Sequence, residues 1–445
     1  MQIGFARNDI TPRVGVELCG FGPFINRHSI AVRDRLWARA MAVEQDGVTL
    51  ILASSDLVGV LQPMADRVRA IVTDATGVPP DRIMVHCTHT HSGPNTAKTI
   101  GWGAEDEPYR AVLPQRIAKA CIEAFQARRE ATLSHAAMPC EGIGLNREYD
   151  RDAPPLAEVL CDGWRPAKPE LTDTTCHVVR AEAGGRCIGF FSYFGCHPVV
   201  CCQETRYIHG DYAGVATNMV ERDEPGSVGL FLQGAQGDVN SGCVHKPEQE
   251  SLLALDVIAA RYARAVRNGL DQARPMEIGS LGAVRVRVPF SRKPLGLDRM
   301  QALLAEQEAV LYAPEASDQD AKVRMAAVNA IALREMIARM KVGEDLAAPQ
   351  ELQGFRLGPM ALLGTPFEIF QAVKNEVLAQ AKGSPCLVMG LTNDCAGYAP
   401  DRAAAARGGY ASDIVPMIVG RLPYANIHDE LVAALLELDR RLFAG

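Results

Sequence analysis

The chain has 445 residues, with 46 Lys+Arg against 53 Asp+Glu and a formal net charge of −7. At 48% hydrophobic and 22% charged residues it has an ordinary globular composition, and no apolar run approaches the roughly 20 residues of a membrane helix, so no stable membrane association is expected. A mildly acidic chain without a Lys/Arg cluster offers no footprint for a phosphate backbone, which sets nucleic acid aside and leaves a small-molecule substrate as the expected partner.

The opening MQIGFARND has no apolar stretch behind a basic start, so no secretory leader is expected. Thirteen cysteines, an odd number that includes the adjacent Cys201 and Cys202, do not read as a disulfide framework, and a cytoplasmic location is the expectation. In chain order, short β-branched runs predict strands at 48–53, 82–86, 188–195, 228–232, 360–363 and 386–391. Helical periods predict helices at 63–76, 108–128, 252–273, 298–311 and 318–340, the last two as a helical hairpin around Pro314. The alternation predicts an α/β fold of mixed sheets flanked by helices. No clear internal repeat and no Ser/Gly/Pro linker is visible, so residues 1–445 are expected to form a single domain, the polar stretch 343–350 being the one weak boundary.

The unusual residues cluster just after predicted strands, where open α/β sheets place ligands. The sharpest cluster is His86-Cys87-Thr88-His89-Thr90-His91-Ser92-Gly93-Pro94-Asn95. Side chains at i and i+2 of an extended segment share a face, so His89 and His91 are expected to reach one metal or one substrate, whereas His86, an odd step away, is expected to be structural. His197 follows the strand at 188–195. By itself it reads as a hydrogen-bonded core residue or a ligand, and Cys201 and Cys202 as buried apolar groups or thiolates. Glu368, after Gly364-Thr365-Pro366, reads as a metal carboxylate or a helix-opening acid. The stretches from Gly210, from Gln233 to Asn240 and from Asn393 to Tyr398 read as site loops or ordinary turns. Phosphate-cradling Gly motifs and a Gly-x-Ser-x-Gly elbow are absent from the sequence.

The series Ala6-Arg7-Asn8-Asp9-Ile10-Thr11-Pro12, Ser55-Asp56-Leu57, His89-Thr90-His91-Ser92-Gly93-Pro94, Asn146-Arg147, the strand ending at His197, Gly210-Asp211, Gly237-Asp238-Val239 and Gly364 to Glu368 resembles the neutral (non-lysosomal) ceramidase family in content and order. The resemblance runs from about residue 3 to about residue 411. It implies a neutral-ceramidase-like catalytic domain in which His89, His197, Glu368 and Tyr398 bind one zinc ion. It further implies that His91 and Tyr410 face the scissile carbonyl, that Arg147 contacts polar groups of the substrate, and that Asp238 is the general base. Such a site would hydrolyse an amide or related acyl bond by attack of zinc-bound water.

Two departures shape the expected substrate. Ceramidases of this type read Gly-Asp-Val-Ser-Pro-Asn where this chain has Gly237-Asp238-Val239-Asn240-Ser241, so a serine nucleophile is in question, with Ser241 as the neighbouring hydroxyl. The chain is also expected to do without the C-terminal immunoglobulin-like domain and the signal peptide of the secreted ceramidases. The expectation is therefore a cytoplasmic zinc hydrolase (an amidase, or an enzyme of esters or lactones) acting on a small soluble substrate. True ceramidase activity and a degenerate, merely binding site are the alternatives.

Overall fold

The structure, a computed structural model, describes residues 1–150 and 154–444. Its first sheet begins with the antiparallel strands Gln2–Asp9 (β1), Trp37–Gln45 (β2) and Val48–Ser55 (β3). The β2–β3 turn is Asp46-Gly47, both at positive φ (53° and 76°), the two-residue hairpin turn whose twist matches that of the strands it joins. The chain then crosses over through helix Gln62–Thr76 (α1) to Ile83–Cys87 (β4), which pairs with β3 in parallel. Helix Glu107–Gln126 (α2), capped by Asp106 accepting from the Tyr109 N–H, packs beside α1 against the outer face.

The same course is then followed twice more. Strands Thr132–Pro139 (β5), Thr175–Ala183 (β6) and Arg186–Phe194 (β7) are antiparallel, and helix Asp211–Asp223 (α3) crosses to Val228–Gln233 (β8), parallel to β7. Helix Glu248–Gln272 (α4) covers this second sheet alongside α3. The third sheet starts at Leu281–Val288 (β9), leaves through the hairpin of helices Leu297–Leu311 (α5) and Ala321–Lys341 (α6), and returns as Gln350–Leu357 (β10) and Met360–Gly364 (β11). Helix Gln371–Leu378 (α7) then crosses to Cys386–Met389 (β12), parallel to β11, and Ile427–Leu442 (α8) closes the outer face. Because β9 and β10 pair along their whole length, from Leu281 opposite Leu357 to Val288 opposite Gln350, the polar stretch 343–350 leads back into the sheet the chain had left.

The fold is α/β with mixed sheets flanked by helices, as the sequence predicts. The repetition missing from the residues is present in the topology, where each sheet ends in a parallel pair joined by a crossover helix. Inner faces of the three sheets meet in one apolar core that includes Leu52, Met84, Phe191, Leu232, Leu362 and Met389. The ends of β4, β8 and β12 are laced together: the Cys87 N–H donates to the Leu391 carbonyl (3.2 Å) and the Gly390 N–H to the Gln233 carbonyl (3.1 Å). His86 completes the ring. Its Nε2 accepts from the Gln233 N–H at 2.8 Å and its Nδ1 lies 3.1 Å from Thr392 Oγ1, so this fully buried imidazole is a strut between sheets.

Candidate functional site

Carboxyl ends of the three parallel pairs point to one place, and each pair delivers one or more of the expected residues. His89 and His91 follow β4, His197 follows β7, Asp238 follows β8, Glu368 follows β11 and Tyr398 follows β12. His89 sits in the left-handed region at φ 73°, its N–H bound to the Leu57 carbonyl at 2.9 Å. A turn, and not strand alternation, therefore brings His89 and His91 together, with their Nε2 atoms 3.3 Å apart. The Nε2 or Nδ1 atoms of His89, His91 and His197 lie within 4.8 Å of one another.

Backbone carbonyls decide which way these rings present their lone pairs. Val58 O lies 2.6 Å from His89 Nδ1, and Gln236 O lies 2.5 Å from His197 Nδ1. A carbonyl can only accept, so both Nδ1 atoms carry the proton and both Nε2 lone pairs face inward. Against them stands Glu368, whose Oε2 is 2.9 Å from His197 Nε2 and 3.5 Å from His89 Nε2. Burial pushes His197 down to about 4 and holds His91 well below the usual imidazole range.

Three electron pairs thus converge with no proton of their own to share, an arrangement that calls for a cation. Zinc fits the donor set: bonds of about 2.1 Å at tetrahedral angles separate ligand atoms by about 3.4 Å, close to the spacings found here. Tyr398 stands beside Glu368, because residues Glu368–Ile369 pair in parallel register with Tyr398–Ala399 and register partners share a face. Burial raises its phenol well above the ordinary value.

The remaining expected residues divide into two groups. Tyr410, its ring 6.0 Å from that of Tyr398, lines the same cavity as His89, His91, Glu368 and Tyr398 and is 45% exposed. Arg147 lies behind Tyr398, its guanidinium carbon 5.1 Å from the ring centre, and it donates to the Gly237 carbonyl and to Asn240 Oδ1. Asp238 lies outside the cavity lining. Its Oδ1 accepts from the Gln371 N–H and its Oδ2 from Asn146 Nδ2, both at 2.9 Å, and burial raises it to about 6. Ser241 is buried one residue past Asn240, and its Oγ accepts from the Cys243 N–H at 3.2 Å.

Sequence reasoning missed most of the apolar side of the cavity, Val58, Ala97, Trp102 and Ile418, and reached Cys395 only as part of the stretch from Asn393 to Tyr398. These are ordinary core residue types, and only the strand-end position of Val58 could have drawn attention to it. It also missed Arg27, buried at 2% exposure, whose guanidinium ties the carbonyls of Cys19 (3.2 Å), His91 (2.5 Å) and Thr205 (3.1 Å).

Among solved structures the chain is similar to neutral ceramidase from Pseudomonas aeruginosa at 19% identity and a TM-score of 0.75, covering 99% of this chain and 74% of that one. It is likewise similar to a ceramidase complexed with C2 at 18% identity and a TM-score of 0.76, covering 99% and 75%. These likenesses establish the fold. No protein among the curated ones matches the chain. The family model described as neutral/alkaline non-lysosomal ceramidase, N-terminal, matches residues 1–245, more than half of the chain and the part that carries His89, His91, His197 and Asp238, and the chain belongs to that family.

Proposed function

We propose that the chain is a zinc-dependent hydrolase that cleaves an amide, ester or lactone bond of a small soluble substrate. The observation that carries this reading is the convergence of the His89 and His197 Nε2 atoms and the Glu368 carboxylate beside a cavity. His89, His197, Glu368 and Tyr398 would hold one zinc ion. Bound there, it would polarise an acyl carbonyl and lower the pKa of a coordinated water to about 7.

The protein's own groups have distinct parts. His91 and Tyr410 face the cavity and are assigned to the scissile carbonyl and to the departing group. Arg147 orients Tyr398 from behind and keeps positive charge near it. Asp238 is assigned to bracing the Asn146-Arg147 turn and not to proton transfer, because both its oxygens are already engaged. Ser241, turned into the interior, takes no part as nucleophile. Residues 1–445 are read as one catalytic unit, since all three sheets contribute to the site. Free thiols at all thirteen cysteines, Cys161 alone exposed, support a reducing compartment such as the cytoplasm. Among the described residues no helix is long and apolar enough to cross a membrane.

Family membership favours a second reading, hydrolysis of ceramide to fatty acid and sphingosine. Metal analysis followed by an activity panel of short N-acyl compounds, esters, lactones and detergent-dispersed ceramide separates the two. About one zinc per chain with turnover of soluble substrates supports the proposal. A preference for ceramide above tenfold in kcat/KM, about 1.4 kcal/mol of transition-state discrimination, establishes the second reading. A chain that carries no zinc and cleaves nothing defeats both.

A further inference from the structure

The cavity beside the histidines is small, about 70 Å³. At about 10–15 Å³ of such space for each water-sized group, that is room for about five to seven of them, against about 300–1,000 Å³ in pockets that hold drug-sized ligands. The polar part of its lining is formed by His89, His91, Glu368 and Tyr398; the apolar part, its floor, is formed by Val58, Ala97, Trp102, Cys395 and Ile418. All five floor residues are buried and belong to the core packed between the first sheet and helices α1 and α2, together with Leu57, Leu391 and Val328. A floor that is also the core cannot recede without unpacking the sheet, because interiors are close-packed and rigid on average. Behind it, α6 supplies Val328 and packs against the turn that carries Val415 and Ile418. Exposed Tyr410 marks the open side.

We infer that this floor is an acyl pocket for a short chain of about two to four carbons and that it excludes a fatty acyl chain. The inference rests on the hydrolase reading above and names its substrate class. Hydrolysis breaks the acyl–N or acyl–O bond, adds the hydroxyl of water to the acyl carbon and its proton to the leaving amine or alcohol. The leaving group must be replaced by water, so it belongs on the open side by Tyr410. The acyl group, whose carbonyl has to reach the polar wall, belongs on the closed side.

The test uses the zinc-loaded full chain. Binding of acetate, propionate, butyrate, octanoate and decanoate is followed by calorimetry, and kcat/KM is measured for p-nitrophenyl esters and anilides of the same acids. Affinity is expected to rise about fourfold per methylene as far as butyrate, and octanoate is expected to bind at least tenfold more weakly than butyrate. Ile418→Ala and the milder Val419→Ala, at a partly exposed lining residue, should move the cut-off to longer chains with zinc content unchanged, while Ala97→Val should move it toward acetate. Octanoate or decanoate bound, or turned over, more than tenfold better than the four-carbon homologue by the unaltered chain would overturn the inference. Carboxylates that bind with the expected cut-off while no ester, anilide or lactone is cleaved would sustain the short pocket and defeat the hydrolase reading, so the two failures are told apart.

Discussion

Among the described residues, two clusters combine histidine with a buried carboxylate, and one of the two is built like a metal centre. His89, His91, His197 and Glu368 form the first; Cys201, His209 and Asp211, with donor atoms within 4.8 Å of one another, form the second. In the first, strand-end carbonyls accept the Nδ1 protons and turn the Nε2 lone pairs toward Glu368. In the second, the donors are backbone amides, those of Val200 and Cys201 in the loop after β7 and those at the start of α3, where a helix leaves its N–H groups free. The Asp211 N–H donates to His209 Nδ1 (3.1 Å), which places the imidazole proton on Nε2. The Asp211 carboxylate accepts from the N–H groups of Tyr212 (2.8 Å), Val200 (3.2 Å) and Cys201 (3.4 Å) and has the buried Arg27 guanidinium nearby. Burial drives the Cys201 thiol well above its ordinary value and so keeps it neutral. None of the three lines the cavity. Residue types alone do not make a metal site; the backbone group that meets each imidazole decides whether a lone pair or an N–H faces the cluster.

The largest test of that contrast removes one cluster at a time. If the proposed centre holds, the unaltered chain should bind about one zinc ion, the His89→Ala/His197→Ala chain should bind none and lose all measurable hydrolysis while keeping its circular dichroism, and Cys201→Ser should keep both metal and activity. Zinc retained by the double mutant and lost by Cys201→Ser would reverse the assignment.

Asp238→Asn sharpens the comparison between a brace and a base. A partner that only orients the site costs about 10–100-fold when altered, while a lost general base costs about 10²–10⁴-fold. The geometry predicts the smaller loss in kcat, read from steady-state kinetics.

Acid should act through the same carboxylate. Asp238, raised by burial to about 6, holds both its hydrogen bonds best when ionised, so activity should be full about one unit above pH 6, half-maximal near it, and fall below it toward the about 10–100-fold loss of Asp238→Asn. The sign for stability is opposite. A carboxyl raised above its unfolded value of 3.8 binds its proton more tightly when folded, so this group stabilises the fold relatively more as pH falls from 7 toward 4. Thermal melts at pH 5.5 should therefore show a folded but slow enzyme, with the acid limb absent from Asp238→Asn.

Gly20→Ala probes how His91 is held. Gly20 lies at φ 94°, and a Cβ there would stand 2.5 Å from His91 Nδ1, a buried atom with no hydrogen-bond partner among the described residues. The variant should lose at least about 1 kcal/mol of stability, read as a lower melting temperature, together with part of its activity. Ser241→Ala should have the smallest effect, below about threefold in kcat/KM, because that ratio reports transition-state stabilisation and the Ser241 hydroxyl, turned into the interior, supplies none.

Much of the site was legible because its residues are rare and stand where strands end. His89, His91, His197, Glu368 and Tyr398 could each be placed after a predicted strand, and the resemblance carried by His89 to Pro94 and by Gly237 to Val239 joined them along the chain from residue 89 to residue 398, which periodicity cannot do. The predicted helices lie within a few residues of their observed ends, the largest offset being at the start of α4. Strands β2, β6 and β10 were overlooked although Asp46-Gly47, Gly184-Gly185 and Gly358-Pro359 stand between them and their hairpin partners, a turn signal that is present in the residues themselves.

What the sequence determined by itself was local: residue type, apolar period, turn chemistry and the family to which the motifs belong. Tertiary structure alone decided the rest, because each remaining property depends on groups distant in the chain. The tautomers of His89 and His197 are set by the carbonyls of Val58 and Gln236, the engagement of Asp238 by Asn146 and Gln371, and the small volume beside the histidines by core residues from four separate segments. Hydrogen-bond direction and cavity volume are properties of an assembled environment, and no reading of single positions along the chain contains them.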